Sequence, residues 1–554
     1  MPMSAPWLPD LPQLILDLRA DLRQRFKFHL PERREAWLSW LVTSGNQEYL
    51  SLQQDGTLQC YLSEPAQIPG MTRLQELVWN QRLDVQRAFA LPADLPIYLD
   101  WFFRHGVGEH GLLPLLTPQE RQRACRVHGP WQVALLTRAA EDLLAEPPLE
   151  CHQRPWGVNL IGYVHGRLGI GEDVRMAAHA LHAAGVPFAM VNFKPGHDIA
   201  QTDMTWAHKV VDEGPYAVNL FCLTAMEHGR FYAERGEQQL QGRYNIGYWP
   251  WELSQWPQAW QQLVHLVDEV WVSTQHTLES VAPVCAQVRP VRPVRPVQHM
   301  PMAVTVDDIA ALQGQALQKA RRATRKRWGL PERACLFCFA FDLNSSIHRK
   351  NPMATLEAFQ QAFASCEWSP QAVGLVVKVH PPSRPNRAWD ALKARAAQDS
   401  RIHLVEASLS RPDLLALYQA CDAFVSLHRA EGFGRGLAEA LQLGLRLVAT
   451  GYSGNVDFCR LPMFADRYYE VDYRLVKVKP GQYPYAQGQV WANAKVAQAA
   501  QRMRQVAQAV QAAEGVLLPV PPGGWPVFAA QEVGQRYRDR LELLRSALHH
   551  AGSG

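Results

Sequence analysis

Two glutamates, Glu431 and Glu439, stand eight positions apart in the stretch EGFGRGLAEA, with Gly432, Gly434 and Gly436 between them. An ionised carboxylate only accepts hydrogen bonds, and its two oxygens suit a pair of vicinal hydroxyls. Glycines let backbone N–H groups come close to a ligand, and a helix N-terminus favours negative charge. A carboxylate repels a bare phosphate. The combination therefore asks for a ligand with phosphates between two hydroxyl-bearing rings, and a nucleotide-sugar has that make-up.

The elements that must position these residues read as alternating strands and helices. DAFVSL is a strand that ends before Glu431, and RGLAEALQLG is the helix that carries Glu439. The glycines thus form a strand-to-helix turn at the carboxyl end of a parallel strand, where ligands bind in such sheets. Around it, ACLFCFAF, AVGLVVKV, RIHLV and RLVAT read as further strands, with helices at NPMATLEAFQQAF and RPDLLALYQA. An earlier series begins near residue 155. It comprises the strand WGVNLIGYV, the glycine loop HGRLGIG, the helix EDVRMAAHALHAAG and then VPFAMVNF, AVNLFCL, YNIGYW and DEVWVST. Apolar runs alternating with amphipathic helices predict a parallel sheet covered on both faces.

Residues 1–150 read differently, as a helical module with a two-fold internal repeat at an offset of 61 to 63 residues. Phe26 matches Phe89, Trp40 matches Trp101, Gly45 matches Gly106 and Glu48 matches Glu109. Two copies are too few for a solenoid. The expected division is 1–150 for this module, 151–305 for a first Rossmann-like domain, 306–530 for a second, and 531–554 for a C-terminal helix packing back on the first. Between the α/β series lies VRPVRPVRPVQ, whose prolines favour polyproline II and would align Arg289, Arg292 and Arg295 on one face. It reads either as an expanded surface segment or as a contact for an anionic partner such as lipid headgroups.

Composition narrows the classes. A net charge of +4 over 554 residues gives no global field for nucleic acid. Ten scattered cysteines, with one close pair at Cys335 and Cys338 and no second pair, read as buried thiols in a reducing compartment. No signal peptide and no membrane-length apolar run stands out. The expectation is a cytoplasmic protein, at most peripheral at the inner face of a membrane.

The E-x7-E spacing resembles family 4 of the retaining GT-B glycosyltransferases. So do SSIHRKNPMATLEAF, ATGYSGNVDF and GYVHGRLGIGE, in that family's order over residues 155 to 545. YNIGYWPWELSQWP, GYSGNVDF and YPYAQGQVWAN look like a subgroup found in large bacterial polysaccharide glycosyltransferases. The resemblance implies a GT-B fold of two Rossmann-like domains and metal-independent sugar transfer from a nucleotide-diphosphate-sugar. It implies a glycan, lipid-linked or protein acceptor, in bacterial surface polysaccharide or glycoconjugate synthesis, and no cofactor beyond the donor. Residue by residue, it implies that Glu431 holds donor-sugar hydroxyls and that Glu439 holds the ribose. The Gly432–Phe433–Gly434 turn meets the sugar and diphosphate, and Lys350 neutralises the leaving diphosphate. Gly169, Ile170 and Gly171 face the diphosphate from the other domain, and Asn455 lies in the matching loop after the next strand. Where the family has an arginine before that lysine, this chain has Asn344 and Ser345, and Arg349 is the candidate replacement. Glu227, His228 and Glu252 lie in the right half for the acceptor.

Two rival readings meet obstacles. HGRLGIG is G-x-x-G-x-G, and the next strand ends in Asn192 and Lys194 where a dinucleotide site wants an acid. The sole close aspartate pair, Asp307–Asp308, is adjacent and does not form an Asp-x-Asp metal motif. A non-catalytic nucleotide-sugar-binding or scaffold protein on the same fold stays open.

Overall fold

The computed structural model describes residues 10–26, 31–127, 149–195, 199–286, 295–306, 312–365, 368–381 and 385–551. Arg289, Arg292, Asp307, Asp308 and Cys366 fall outside them. Apolar runs, buried at the central strands, build two parallel sheets. The first contains β1 Val158–Gly162, β2 Phe188–Asn192, β3 Val210–Val211, β4 Val218–Cys222, β5 Tyr244–Tyr248, β6 Glu269–Val272 and β7 Val297–His299, in the order β3-β2-β1-β4-β5-β6-β7. The second contains β8 Cys335–Asp342, β9 Val373–His380, β10 Ile402–Glu406, β11 Ala423–Ser426, β12 Arg446–Thr450 and β13 Tyr468–Val471, in the order β10-β9-β8-β11-β12-β13. Both are doubly wound, with switch points between β1 and β4 and between β8 and β11. A hairpin, β14 Tyr473–Lys477 and β15 Val490–Ala494, follows β13. Cys335 and Cys338 are buried on β8.

Helices cover both sheets. The final helix Ala530–Ala551 returns to the first sheet and lies along the helix Gly169–Ala183. A Cβ at Gly534 would sit 2.0 Å from the Ala180 carbonyl, so only glycine permits this approach. Tyr537 donates to Pro301 O at 3.0 Å, and Arg540 pairs with the fully buried Glu269. The basic helix Gly314–Arg327 turns Arg321 and Arg325 inward onto Asp422, at 2.6 and 2.9 Å.

The N-terminal helices repeat one contact set. Arg19 pairs with Asp21 and Glu48, and Arg82 pairs with Asp84 and Glu109. Trp40 lies over Gly45 and Trp101 over Gly106, each within a helix that widens to π form at Leu41–Gly45 or Phe102–Gly106. The module shares an apolar core with the first α/β domain: Leu14 packs on Gly229 and Leu263, and Ser51 donates to Ala233 O at 2.9 Å. Cutting the chain near residue 150 would therefore expose apolar surface.

Removing Arg540 would leave Glu269 buried with only Tyr244 and Trp271 as hydrogen-bond donors. We predict that Arg540→Ala destabilises the chain by about 3 kcal/mol, the scale for a buried charge stripped of its partner. A thermal midpoint within one degree of wild type would contradict the account.

Candidate active site at the domain junction

The site forms where the connections leave β8 and β11 in opposite directions and their carboxyl ends part. After β8, a one-turn helix Ile347–Lys350 is capped by Ser346, whose hydroxyl accepts from Arg349 N at 3.4 Å. Ser346 (φ 68°) and Asn351 (φ 52°) bracket it in left-handed backbone, which non-glycine residues hold only when the surroundings require it. Asn351 Nδ2 donates to Leu427 O at 2.9 Å, fastening this turn to the segment after β11. That segment carries Glu431, and the helix Arg435–Gln442 follows it. Gly434 begins this helix at φ 96°, with no room for a Cβ beside Asn455.

Three charges meet here. Lys350 Nζ lies 2.6 Å from Glu431 Oε1, and Arg349 lies 3.2 Å from Oε2. Arg349 also donates to Ala430 O at 3.0 Å and faces Glu252 at 3.7 Å. Glu431 is 8% exposed and Arg349 4%. Burial alone would raise the Glu431 carboxyl, but the charges of Lys350 and Arg349 bring it down to about 2. Burial lowers the Lys350 ammonium, against the pull of Glu431.

The first domain closes over this cluster. Thr274, at the N-cap of the helix Gln275–Cys285, donates to Gly432 O at 2.8 Å. Tyr483, from the β14–β15 hairpin, donates to Glu252 at 2.6 Å, and Gln489 Nε2 donates to Gln255 O at 2.7 Å. A Cβ at Gly454 would sit 2.1 Å from Gly432 O. The half-buried Phe433 packs between the cores of the two α/β domains.

A second charge cluster lies beside the first. Glu439 accepts from Arg411 at 2.8 Å, and Arg411 reaches Glu172 at 3.1 Å in the opposite domain. Arg435 pairs across the junction with Asp173. Gly169, Ile170 and Gly171 form the first turn of the helix Gly169–Ala183, so this helix starts earlier than the sequence pattern suggested and its first N–H groups lie at the loop. Gly171 has no room for a side chain, since a Cβ would meet Gly166 O at 2.3 Å.

Other candidate residues have local partners. Ser345 donates to Asp342 O at 2.8 Å. Asn455 holds His428 and Thr450 O with its amide. Glu227 accepts from Tyr163 and Arg230. His228 is sealed in the core, stacked on Phe221 and accepting from Trp249, and burial lowers its imidazole to about 3.

Sequence reasoning missed Thr274, Arg411, Glu172, Asp173, Arg435 and Tyr483 as site neighbours. Tyr483 lies within YPYAQGQVWAN, and Glu252 within YNIGYWPWELSQWP, so two noted stretches meet over the site. Thr274 and Arg411 carry no local signal beyond standing at helix starts.

Among the described residues, no group of three or more His, Cys, Asp or Glu is placed to hold a metal ion, and no helix is long and apolar enough to cross a membrane.

No protein-family model and no curated protein matches the chain. Solved structures that resemble it include HepE from Anabaena in complex with UDP, at 13% identity over 70% of this chain and 99% of that one, with a TM-score of 0.43. A glycosyltransferase from Rickettsia africae is similar at 12% identity over 72% of this chain and 97% of that one, with a TM-score of 0.42. A trehalose 6-phosphate synthase from Burkholderia multivorans is similar at 11% identity over 60% and 72%, with a TM-score of 0.38. All three likenesses are distant.

The lowered Glu431 carboxyl carries a pH signature. A depressed pKa contributes stability that is fully present above the ordinary value near 4.5 and is lost as pH falls toward about 2. We predict that Glu431→Gln removes part of the acid limb of the stability profile between those values. Identical acid limbs in denaturation of the two proteins would show that the carboxylate is not held by its cations.

Proposed function

We propose that the chain is a retaining glycosyltransferase of the GT-B type, moving a sugar from a nucleotide-diphosphate-sugar to a glycan, lipid-linked or protein acceptor. The observation that carries this reading is the cluster of buried Glu431 and Arg349 with half-buried Lys350 at the β8/β11 switch point, roofed by the other domain. In the proposed complex, sugar hydroxyls take Glu431 as acceptor. The diphosphate takes Lys350 and Arg349, with help from N–H groups of the Gly432–Phe433–Gly434 turn and of Gly169, Ile170 and Gly171. The ribose shares Glu439 with Arg411 or displaces it.

The proposed chemistry is positioning together with stabilisation of leaving-group charge. The acceptor hydroxyl attacks the anomeric carbon on the face the diphosphate leaves, and the departing phosphate oxygen takes its proton. Lys350 and Arg349 stabilise the charge on that oxygen. Burial away from water strengthens each of these interactions. Glu227 and Glu252 stand on the acceptor side of this scheme. The helical module, joined to the first domain by a shared core, serves the acceptor or assembly rather than the donor. Synthesis of a bacterial surface polysaccharide at the cytoplasmic face is the setting that the sequence resemblance supports.

The test is a panel of nucleotide-sugars with nucleotide release measured. We predict that Glu431→Ala lowers transfer at least about a thousandfold, on the order of 4 kcal/mol of lost transition-state stabilisation, while the fold survives. A folded mutant with near-wild-type turnover would refute the assignment.

We further predict full activity in a chelator, because lysine and arginine do the electrostatic work. Loss of activity in a chelator, with recovery on adding manganese or magnesium, would count against the scheme.

A further inference from the structure

A groove of about 510 Å³ opens in the helical module, between the helix Pro31–Trp40 and the helix Arg73–Gln81. Glu35 and Ser39 line it from the first helix, one turn apart. Glu76, Trp79 and Asn80 line it from the second at the same spacing, and Ile68 borders it. Trp79 is half-buried, with its indole N–H held by Phe89 O at 3.2 Å, which fixes the ring. Glu76 is oriented by the N–H groups of Ile68 at 3.2 Å and Gln67 at 3.4 Å, and Glu35 accepts from Asn80. Ser39 is 2% exposed, and its hydroxyl is closed off from solvent without a hydrogen-bond partner.

The internal repeat does not require these residues. At the offset of 63, Trp79 and Asn80 correspond to Leu16 and Asp17. At the offset of 61, Glu35 and Ser39 correspond to Pro96 and Asp100. What the copies share is their arginine pairs and the Trp–Gly packing, and the groove residues are peculiar to this one place.

We propose that this groove binds a neutral or amino sugar unit of the acceptor. A fixed indole offers an apolar plate to the C–H face of a pyranose ring. Oriented carboxylates and amides accept and donate to its hydroxyls. Glu35 and Glu76 would repel a uronate. The assignment of the sugar to an acceptor rests on the glycosyltransferase reading, and binding itself can be measured without it.

The experiment is ligand-observed NMR titration of the full chain with cellobiose, N,N′-diacetylchitobiose and D-glucuronate, alongside calorimetry with nucleoside diphosphates. We expect one or both neutral disaccharides to bind and glucuronate not to bind. Trp79→Ala should weaken disaccharide binding by about tenfold or more, equal to about 1.4 kcal/mol or more. Glu35→Ala, at an exposed position that the fold does not need, should weaken it measurably and decides the case if the tryptophan variant misfolds. Neither change should alter nucleoside diphosphate affinity. Disaccharide binding lost in these variants, with no nucleotide bound by any form, would support the groove and overturn the transferase reading. No disaccharide binding by wild type, or binding unchanged in both variants, would overturn the groove.

Discussion

Arg349 and Glu431 are held out of water at one crevice with Lys350 half-buried beside them, and much of the structure makes that tolerable. A buried charge is costly unless it is paired and its remaining hydrogen bonds are met. The pairing comes from two loops at adjacent strand ends; Ala430 O accepts a further hydrogen bond from Arg349, and the Ser453 hydroxyl fixes the loop by accepting from the Glu431 backbone N–H. The left-handed turns at Ser346 and Asn351 put the cations within reach of the carboxylate. Remove the doubly wound order of the second sheet, and the segments after β8 and β11 no longer share a crevice.

The same constraint explains how the two α/β domains meet. Glu252 approaches Arg349, and Tyr483 fixes Glu252. Thr274 takes the carbonyl of Gly432. A few residues away, Arg411 joins Glu172 of one domain to Glu439 of the other, and Arg435 meets Asp173. Each of these carboxylates thus has a cationic partner, and the pairings of Glu252, Glu172 and Asp173 cross between domains. The junction is polar where the ligand is proposed to bind and apolar only at its edges, as at Phe433.

What the sequence made legible follows from the range of the interactions. Strand and helix positions rest on local apolar periodicity, so five strands of each sheet could be read, while the short, partly exposed β3, β7 and β13 were missed. The pairing of Glu431 with Glu439 and the basic turn at Lys350 are local patterns too. Trp40 and Gly45 recur as Trp101 and Gly106 because the contact is within one helix. By contrast, Thr274, Arg411 and Tyr483 act across hundreds of residues, through a docking geometry that no short stretch encodes. The place of His228 is not encoded locally either. Glu227 and Arg230 flank it, yet the helix Ala225–Arg235 turns it against Phe221 in the core. The start of the helix at Gly169 was missed because glycine is a poor helix former and tertiary packing overrode that preference.

The cluster also bears on selectivity, given the proposed function. Without ligand, Glu431 and Glu252 together balance the charges of Lys350 and Arg349. A free diphosphate could draw Lys350 and Arg349 away, but it would leave Glu431 buried without a partner. A free sugar could satisfy Glu431, but it would leave the cations unmatched. Either half-exchange meets the penalty for an unpaired buried charge, which reaches several kcal/mol. A nucleotide-sugar brings both halves at once, phosphates for the cations and hydroxyls for the carboxylate. The ion pair then acts as a lock that opens fully only to a ligand carrying both groups at the right separation. Once the glycosyl bond breaks, the two halves part, and neither alone meets both the cations and the carboxylate.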